Sequence, residues 1–178
     1  ANVIHSLRCR RRSMLQLETA TEDGQAITVT GGFTILPNTS IDDIPRSDLI
    51  FVPALWGNPH AVVRRYPKAI AWLSQQYAQG ATLCSIGTGS YFLGETGLLD
   101  RRPATTHWRY FDDFEASYPS VKLQRKRFIT HQDRLYCTGS INAVRDVMLH
   151  FVEQLFSDSV ADEVAHHFTH ELKRSYES

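Results

Sequence analysis

This 178-residue sequence has few cysteines, no net charge and no long apolar runs. Its three cysteines, Cys9, Cys84 and Cys137, are odd in number and form no CxxC pair, which argues against a disulfide framework and suits a reducing cytoplasm. The 19 basic and 19 acidic residues balance, so no net field draws the chain to nucleic acid or a membrane. The longest apolar runs, such as residues 49–55, are far too short to span a bilayer.

The remaining composition is that of one globular domain with a core of its own. Hydrophobic residues make up 42% of the chain and charged residues 21%. A chain of this length buries roughly 70% of its unfolded surface. We therefore expect it to fold without a disulfide or a metal, and we expect no cofactor.

Alternating strand and helix patterns predict an α/β fold with a mostly parallel sheet covered by helices on both faces. The runs at 49–52 and 81–86 are typical of buried parallel strands. A helix interrupted at Pro67 is predicted over 59–79. The basic run at 8–12 is interpreted as a helix end, so we expect a strand before Ala1 to be missing. Further strands are predicted at 14–20, 104–108, 121–123, 127–130 and 135–138, a hairpin or bulge at 26–35, and helices at 88–99, 110–118, 142–156 and 159–172.

Two strand ends are the places where this fold would hold a ligand, because open parallel sheets bind beyond their carboxyl edges. One follows Val52 and the other follows Ile86. The second runs through Gly87, Thr88 and Gly89 directly into a helix, as a nucleophile elbow does. The residue at the apex, however, is Gly87, which has no side chain to react.

The sequence around this turn resembles a known family. Residues 85–93, Ser-Ile-Gly-Thr-Gly-Ser-Tyr-Phe-Leu, are similar to the elbow of the PfpI-like, class I amidotransferase-like superfamily. Residues 95–108, with Gly-Leu-Leu-Asp and Ala-Thr-Thr-His-Trp, resemble one branch of it, the sensor domain of AraC-type transcription regulators. Residues 48–53, 136–146 and 161–178 extend the resemblance. In that branch the elbow commonly reads Ser, aliphatic, Cys, Thr, Gly, which puts Gly87 where the family carries its cysteine.

The resemblance implies a flavodoxin-like three-layer sandwich and a catalytically inactive, ligand-sensing domain. Residues 1–158 would be the sensor, and residues 159–178 a helix leading toward a helix-turn-helix module that is absent from this chain. That module would bind DNA, the sensor would form a homodimer, and a small effector, for which an amino-acid-related molecule is one candidate, would bind over Gly87. Two departures from the family matter: its first strand and nearby acidic residue are absent, and Thr88 stands where hydrolytic members carry a histidine.

Six residues around the two strand ends form the predicted ligand site, and four of them also have a plain structural interpretation. His107 is interpreted by resemblance as facing the elbow, although a backbone carbonyl could equally satisfy it. Trp108 walls the same pocket or belongs to the core. Trp56 and Gly57 line the pocket or form a simple turn. The predicted set is Trp56, Gly57, Gly87, Thr88, His107 and Trp108.

Two other functions and two weaker sites stay open. An enzyme of the same superfamily, such as a hydrolase, hydratase or glyoxalase-like protein, would need a reactive thiol, and Cys84 lies in an apolar strand where thiols are inert. A ligand-free dimerisation scaffold would have a filled cleft above the elbow. His166, His167 and His170 have a spacing that could hold a metal, but a solvated or interface face is the expected role, and no metal site is predicted.

Overall fold

The computed structural model describes residues 15–29 and 32–168. Their strands are β1 (Ala20–Thr21), β2 (Ile27–Thr28), β3 (Thr34–Ile35), β4 (Thr39–Ser40), β5 (Leu49–Val52), β6 (Thr82–Ile86), β7 (Pro103–Ala104), β8 (Lys122–Leu123), β9 (Ile129–Gln132) and β10 (Leu135–Thr138). Their helices are α1 (Pro59–Val63), α2 (Pro67–Ala78), α3 (Ser90–Glu95), α4 (Phe111–Ser117), α5 (Ile141–Leu155) and α6 (Asp158–Phe168). Short 3₁₀ turns cover Ile41–Asp43, Gly87–Gly89 and Trp108–Tyr110.

The central sheet has the strand order β5-β6-β10-β9. The first three strands are parallel, and β9 runs antiparallel to β10 at the edge. Away from this sheet, β1 pairs with β4 and β7 with β8 in parallel, whereas β2 and β3 form an antiparallel hairpin. The predicted α/β fold with parallel strands is therefore confirmed. The predicted covering of both sheet faces stays a prediction.

Alternate residues of the sheet supply the main core, because successive strand side chains point to opposite faces. Val52, Leu83 and Leu135 pack into one cluster with side chains from α2, α3 and α4. Leu83 and Leu93 are fully buried, and so is Phe114. Full burial of such side chains contributes about 2 kcal/mol each, so this cluster fixes the three helices on the sheet.

Proline and asparagine set the two helices that follow β5. Asn58 caps α1, since its side chain accepts hydrogen bonds from the N–H groups of His60 and Ala61, and Pro59 occupies the first helical turn. Pro67 begins α2 rather than continuing α1. The predicted interruption at Pro67 is confirmed, with residues 64–66 between the two helices.

Several predicted boundaries are wrong. The described part of the predicted strand 14–20 has no strand before Ala20. The predicted strand 104–108 ends at Ala104, and the hydroxyls of the next two residues, Thr105 and Thr106, donate to the carbonyls of Arg127 and Gly87. The helix predicted over 88–99 is shorter, because a 3₁₀ turn precedes α3, which runs only from Ser90 to Glu95. Smaller shifts of one or two residues affect β6, β9, α5 and the start of α6.

The described residues divide into two compact units. Residues 18–144 form one, and the described residues 15–17 and 145–168 belong to the other. The helix predicted at the amino terminus lies outside the described residues, as does the predicted end of the last helix. In the described part of the chain, no helix combines the length and apolarity that a membrane crossing requires.

Candidate functional site

The turn after β6 has the backbone geometry of an elbow. Gly87 adopts φ +51°, in the left-handed region that side chains disfavour by about 1–2 kcal/mol. The buried 3₁₀ turn Gly87–Gly89 then leads into α3. Glycine at the apex therefore relieves the strain that this sharp turn would place on any other residue.

Gly89 holds the elbow against the end of β5. A Cβ atom at this position would lie 2.6 Å from the carbonyl oxygens of both Val52 and Pro53. The neighbouring Thr88 hydroxyl accepts a hydrogen bond from the Leu55 N–H at 2.8 Å and donates one to the Leu55 carbonyl at 2.9 Å. Thr88, predicted to bind ligand, thus has its only hydroxyl hydrogen committed to the loop after β5.

His107 lies beside the apex, as the family resemblance implied. Its Cβ is 3.8 Å from the point where a Cβ of Gly87 would stand, and the Cβ of Ala54 is equally close to that point. The Thr106 hydroxyl donates to the Gly87 carbonyl at 3.2 Å, which fixes this loop to the elbow. His107 Nδ1 accepts from the Arg109 N–H at 3.4 Å, an arrangement that leaves the ring's N–H on Nε2.

Two exposed tryptophans stand on the loops that flank the elbow. Trp56 is 76% exposed and Trp108 is 65% exposed. The Tyr110 hydroxyl donates to the Gly57 carbonyl at 3.2 Å and so ties the two loops together. Of the six predicted site residues, Gly87 and His107 are adjacent, Gly57 is linked to the His107 loop through Tyr110, and the two tryptophans are surface side chains.

A polar cluster that the sequence did not predict lies behind these loops. The buried Tyr91 donates its hydroxyl hydrogen to Asp113 Oδ2 at 2.5 Å, and His60 Nε2 lies 2.8 Å from the same oxygen. The Tyr91 hydrogen bond, and after it His60, lower the pKa of Asp113, while burial above all raises the pKa of Tyr91. These residues come from α1, α3 and α4, so no local sequence pattern predicts their contact.

The two described cysteines are poor nucleophiles. Cys84 has no exposed surface, and burial, followed by the nearby Cys137, raises its pKa to about 12. Burial likewise raises the pKa of Cys137. Since the thiolate is the reacting species, neither thiol is available for attack near neutral pH.

The histidine cluster on the last helix is only partly within the described residues. His166 Nδ1 hydrogen-bonds the Asp162 carbonyl at 2.9 Å. Within residues 15–29 and 32–168, no group of three or more His, Cys, Asp or Glu side chains is arranged to hold a metal ion. His170 lies outside that part of the chain.

The chain is similar to a known protein family and to several known proteins. The sequence pattern of the DJ-1/PfpI family matches residues 2–154. The chain is 32% identical to the HTH-type transcriptional regulator CdhR of Pseudomonas aeruginosa over 82% of this chain and 42% of that protein. It is 26% identical to the HTH-type transcriptional regulator GbdR of the same species, over 92% and 44%. The chain therefore spans less than half the length of these regulators.

The chain is also similar to an enzyme and to two solved structures. Isonitrile hydratase of Pseudomonas putida is 29% identical over 79% of this chain and 60% of its own length. A putative transcriptional regulator from Vibrio parahaemolyticus superposes with a TM-score of 0.83 at 16% identity, covering 93% of this chain and 87% of that chain. An AraC family transcriptional regulator from Pseudomonas putida gives 0.76 at 22% identity with the same coverage. These two likenesses establish the fold.

Proposed function

The chain belongs to the DJ-1/PfpI family, and on that premise we propose that it is the effector-binding, dimerising domain of an AraC-type transcription regulator and has no enzymatic activity. The observation that carries the proposal is Gly87. It occupies the apex of an intact elbow, yet it offers no atom that could attack a substrate. The similarity to CdhR and GbdR supports the regulatory part of the proposal.

The geometry around Gly87 supports a binding role. A side chain at the apex would meet only ordinary contacts with Ala54 and His107, so the glycine leaves a space next to both. His107 Nε2 is the ring nitrogen that would donate to a carbonyl or carboxylate of the effector, because Nδ1 is occupied by the Arg109 N–H. The exposed Trp56 and Trp108 would cover the effector's apolar part.

Binding at this point can change DNA affinity only if the effector prefers one arrangement of the whole regulator over another. The two loops that would contact it are joined by the Tyr110–Gly57 hydrogen bond. Both loops would therefore respond together when a ligand occupies the space over Gly87. The DNA-binding module would be supplied by sequence beyond this chain, as the greater length of CdhR and GbdR suggests.

The runner-up is an enzyme, which the similarity to isonitrile hydratase favours. An enzyme built on this elbow would need a thiol or hydroxyl at the apex. Burial makes the Cys84 thiol unreactive, and the Thr88 hydroxyl donates its hydrogen to the Leu55 carbonyl. We therefore rank enzymatic activity second and a ligand-free scaffold third.

A thermal-shift screen tests effector binding. The probes are the proteinogenic amino acids, their decarboxylated amines and their α-keto acids. Ala54→Leu fills the space beside Gly87, and Ala116→Leu on α4 adds the same volume at another exposed alanine. A true effector raises the Tm of the wild type and of Ala116→Leu, changes the fluorescence of Trp56 or Trp108, and binds Ala54→Leu at least tenfold more weakly.

Three results would contradict the proposal. A probe that binds the wild type and Ala54→Leu equally places the site elsewhere, and no binding by any probe favours the scaffold. A stop codon directly after Ser178 in the gene would remove the DNA-binding part, whereas a basic helical continuation with two helix-turn-helix motifs is expected.

A further inference from the structure

A short hairpin in the first third of the chain is formed by β2 and β3, and we call its described residues, 26–29 and 32–36, the arm. Ile27 pairs with Ile35, and Thr28 with Thr34. The turn closes through hydrogen bonds from the Val29 N–H to the Phe33 carbonyl and from the Gly32 N–H to the Val29 carbonyl. Within the described chain, each of these two strands pairs only with the other.

Both faces of the arm are exposed, although it is apolar. All four paired strand residues are exposed. Ile27 is 40% exposed, Ile35 45%, Phe33 73% and Leu36 76%. A two-stranded hairpin on its own is marginally stable in water. The packing within the arm is therefore too small to make it stable on its own.

The arm also lacks charge. Residues 24–41, eighteen in all, contain no Asp, Glu, Lys or Arg, although 21% of the whole chain is charged. Exposed edge strands usually carry such residues, lysine above all, because charge prevents unwanted pairing. Their absence indicates that the edges and the apolar surface of the arm are covered in the functional protein.

We propose that the arm packs against the arm of a second copy of this chain, so that two arms related by a two-fold axis form the centre of a dimer. The four exposed apolar side chains present on the order of 400 Å² of surface per copy. This area follows when their exposed fractions are multiplied by typical areas of 150–250 Å² for an aromatic side chain and somewhat less for an aliphatic one. Two copies supply about 800 Å², close to the roughly 1,000 Å² that a specific interface needs before its polar rim is added.

A second copy fits the arm better than a partner of different chemistry. A charged partner would find no complementary charge on the arm, whereas an uncharged, apolar surface is complementary to itself across a two-fold axis. The inference rests on the dimerisation part of the proposed function and names its surface. It does not require an effector at Gly87.

Sedimentation velocity of the 178-residue chain, from 0.5 to 100 μM, tests the proposal with matched variants. Phe33→Glu places a charge in the arm, and Phe128→Glu places one at a phenylalanine of similar exposure, 69%, outside it. The wild type and Phe128→Glu should be dimers, and Phe33→Glu should dissociate at least 30-fold more readily. Both variants change exposed side chains, and far-UV circular dichroism should match the wild type.

A charge-complementation experiment guards against a misleading loss of stability. Phe33→Lys should be monomeric alone, and an equimolar mixture with Phe33→Glu should recover dimers, because opposite charges then meet across the interface. A monomeric wild type, a dimeric Phe33→Glu variant, equal weakening by Phe128→Glu, or no recovery in the mixture would overturn the proposal. The probe that binds the wild type should bind Phe33→Glu unchanged, so failure of the arm is distinguishable from failure of the effector site.

Discussion

Two glycines of the elbow, Gly87 and Gly89, and Gly97 beyond the end of α3 provide a ranked test of the elbow's geometry. Gly89→Ala, Gly87→Ala and Gly97→Ala each add one methyl group, but to different surroundings. At Gly97 the backbone has φ +72° and no atom lies within 4 Å of the added carbon, so this variant reports the cost of the left-handed backbone alone. That cost is about 1–2 kcal/mol, reduced by about 0.4–1 kcal/mol because alanine restricts the unfolded chain. The expected net loss is about 1 kcal/mol.

Gly87→Ala should behave almost the same. Its φ is +51°, and the added carbon would stand 3.8 Å from the nearest side-chain atoms, which is an ordinary contact. A loss of about 1 kcal/mol is again expected. A loss no larger than that of Gly97→Ala would show that a Cβ at the apex meets no steric obstacle.

Gly89→Ala should be the most destabilising variant, although its φ of −58° suits any residue. The added carbon would lie 2.6 Å from two backbone oxygens, and neither can move without shifting the end of β5. Such overpacking costs about 3 kcal/mol. Relief by movement would break the two Thr88–Leu55 hydrogen bonds, at about 1 kcal/mol each.

Urea unfolding followed by circular dichroism measures the three free energies of unfolding, with unchanged m-values as the sign that only the native state is affected. Hydrogen exchange at the Leu55 amide gives an independent measure, because its N–H donates to Thr88. Exchange there should speed up in Gly89→Ala and stay unchanged in Gly97→Ala. If Gly89→Ala is no less stable than Gly97→Ala, the close approach between the elbow and β5 is refuted.

Two further predictions concern titratable groups. Asp113→Asn should lower the free energy of unfolding by about 1 kcal/mol at neutral pH. Because the pKa of Asp113 is lowered in the folded protein, this stability difference between wild type and variant should be complete above about pH 4. It should disappear as the pH falls through the folded pKa. Equal stability differences at pH 3 and pH 7 in urea titrations would contradict this assignment. In a Cys9→Ser background, the thiols of Cys84 and Cys137 should react with a thiol reagent at pH 7.5 at least 100-fold more slowly in the folded protein than in the urea-unfolded protein. The reason is that both thiols are buried and their pKa values are raised. Rapid labelling of either cysteine in the folded protein would support the enzyme hypothesis instead.

The sequence predicted the elements whose signals are local. Continuous apolar runs identified β5 and β6, and Pro67 marked the break between α1 and α2. Gly87 was identified as the apex of the turn because a strand, two glycines and a helix follow each other there. His107 was placed beside it by resemblance, and its position in the structure agrees.

Contacts between distant segments were not predictable in this way. Thr105 and Thr106 favour strands by propensity, yet the strand ends at Ala104, and no local pattern indicates that their hydroxyls donate to the carbonyls of Arg127 and Gly87. Asp113 meets His60 and Tyr91 across 53 and 22 residues of sequence. Thr88 was assigned to the ligand site from its place in the turn, and only the fold shows that Leu55 takes up its hydroxyl.

The preserved elbow does not by itself argue for preserved chemistry. Its shape depends on the close approach of Gly89 to β5, on the Thr88–Leu55 hydrogen bonds and on the bond from Thr106 to Gly87, and none of these involves a reacting atom. A nucleophile at the apex would have to tolerate a left-handed backbone at about 1–2 kcal/mol. Glycine avoids that cost and leaves the space between Ala54 and His107 unfilled. The same turn that would expose a reactive thiol in an enzyme therefore leaves, in this chain, room for one more carbon atom 3.8 Å from the Cβ atoms of Ala54 and His107.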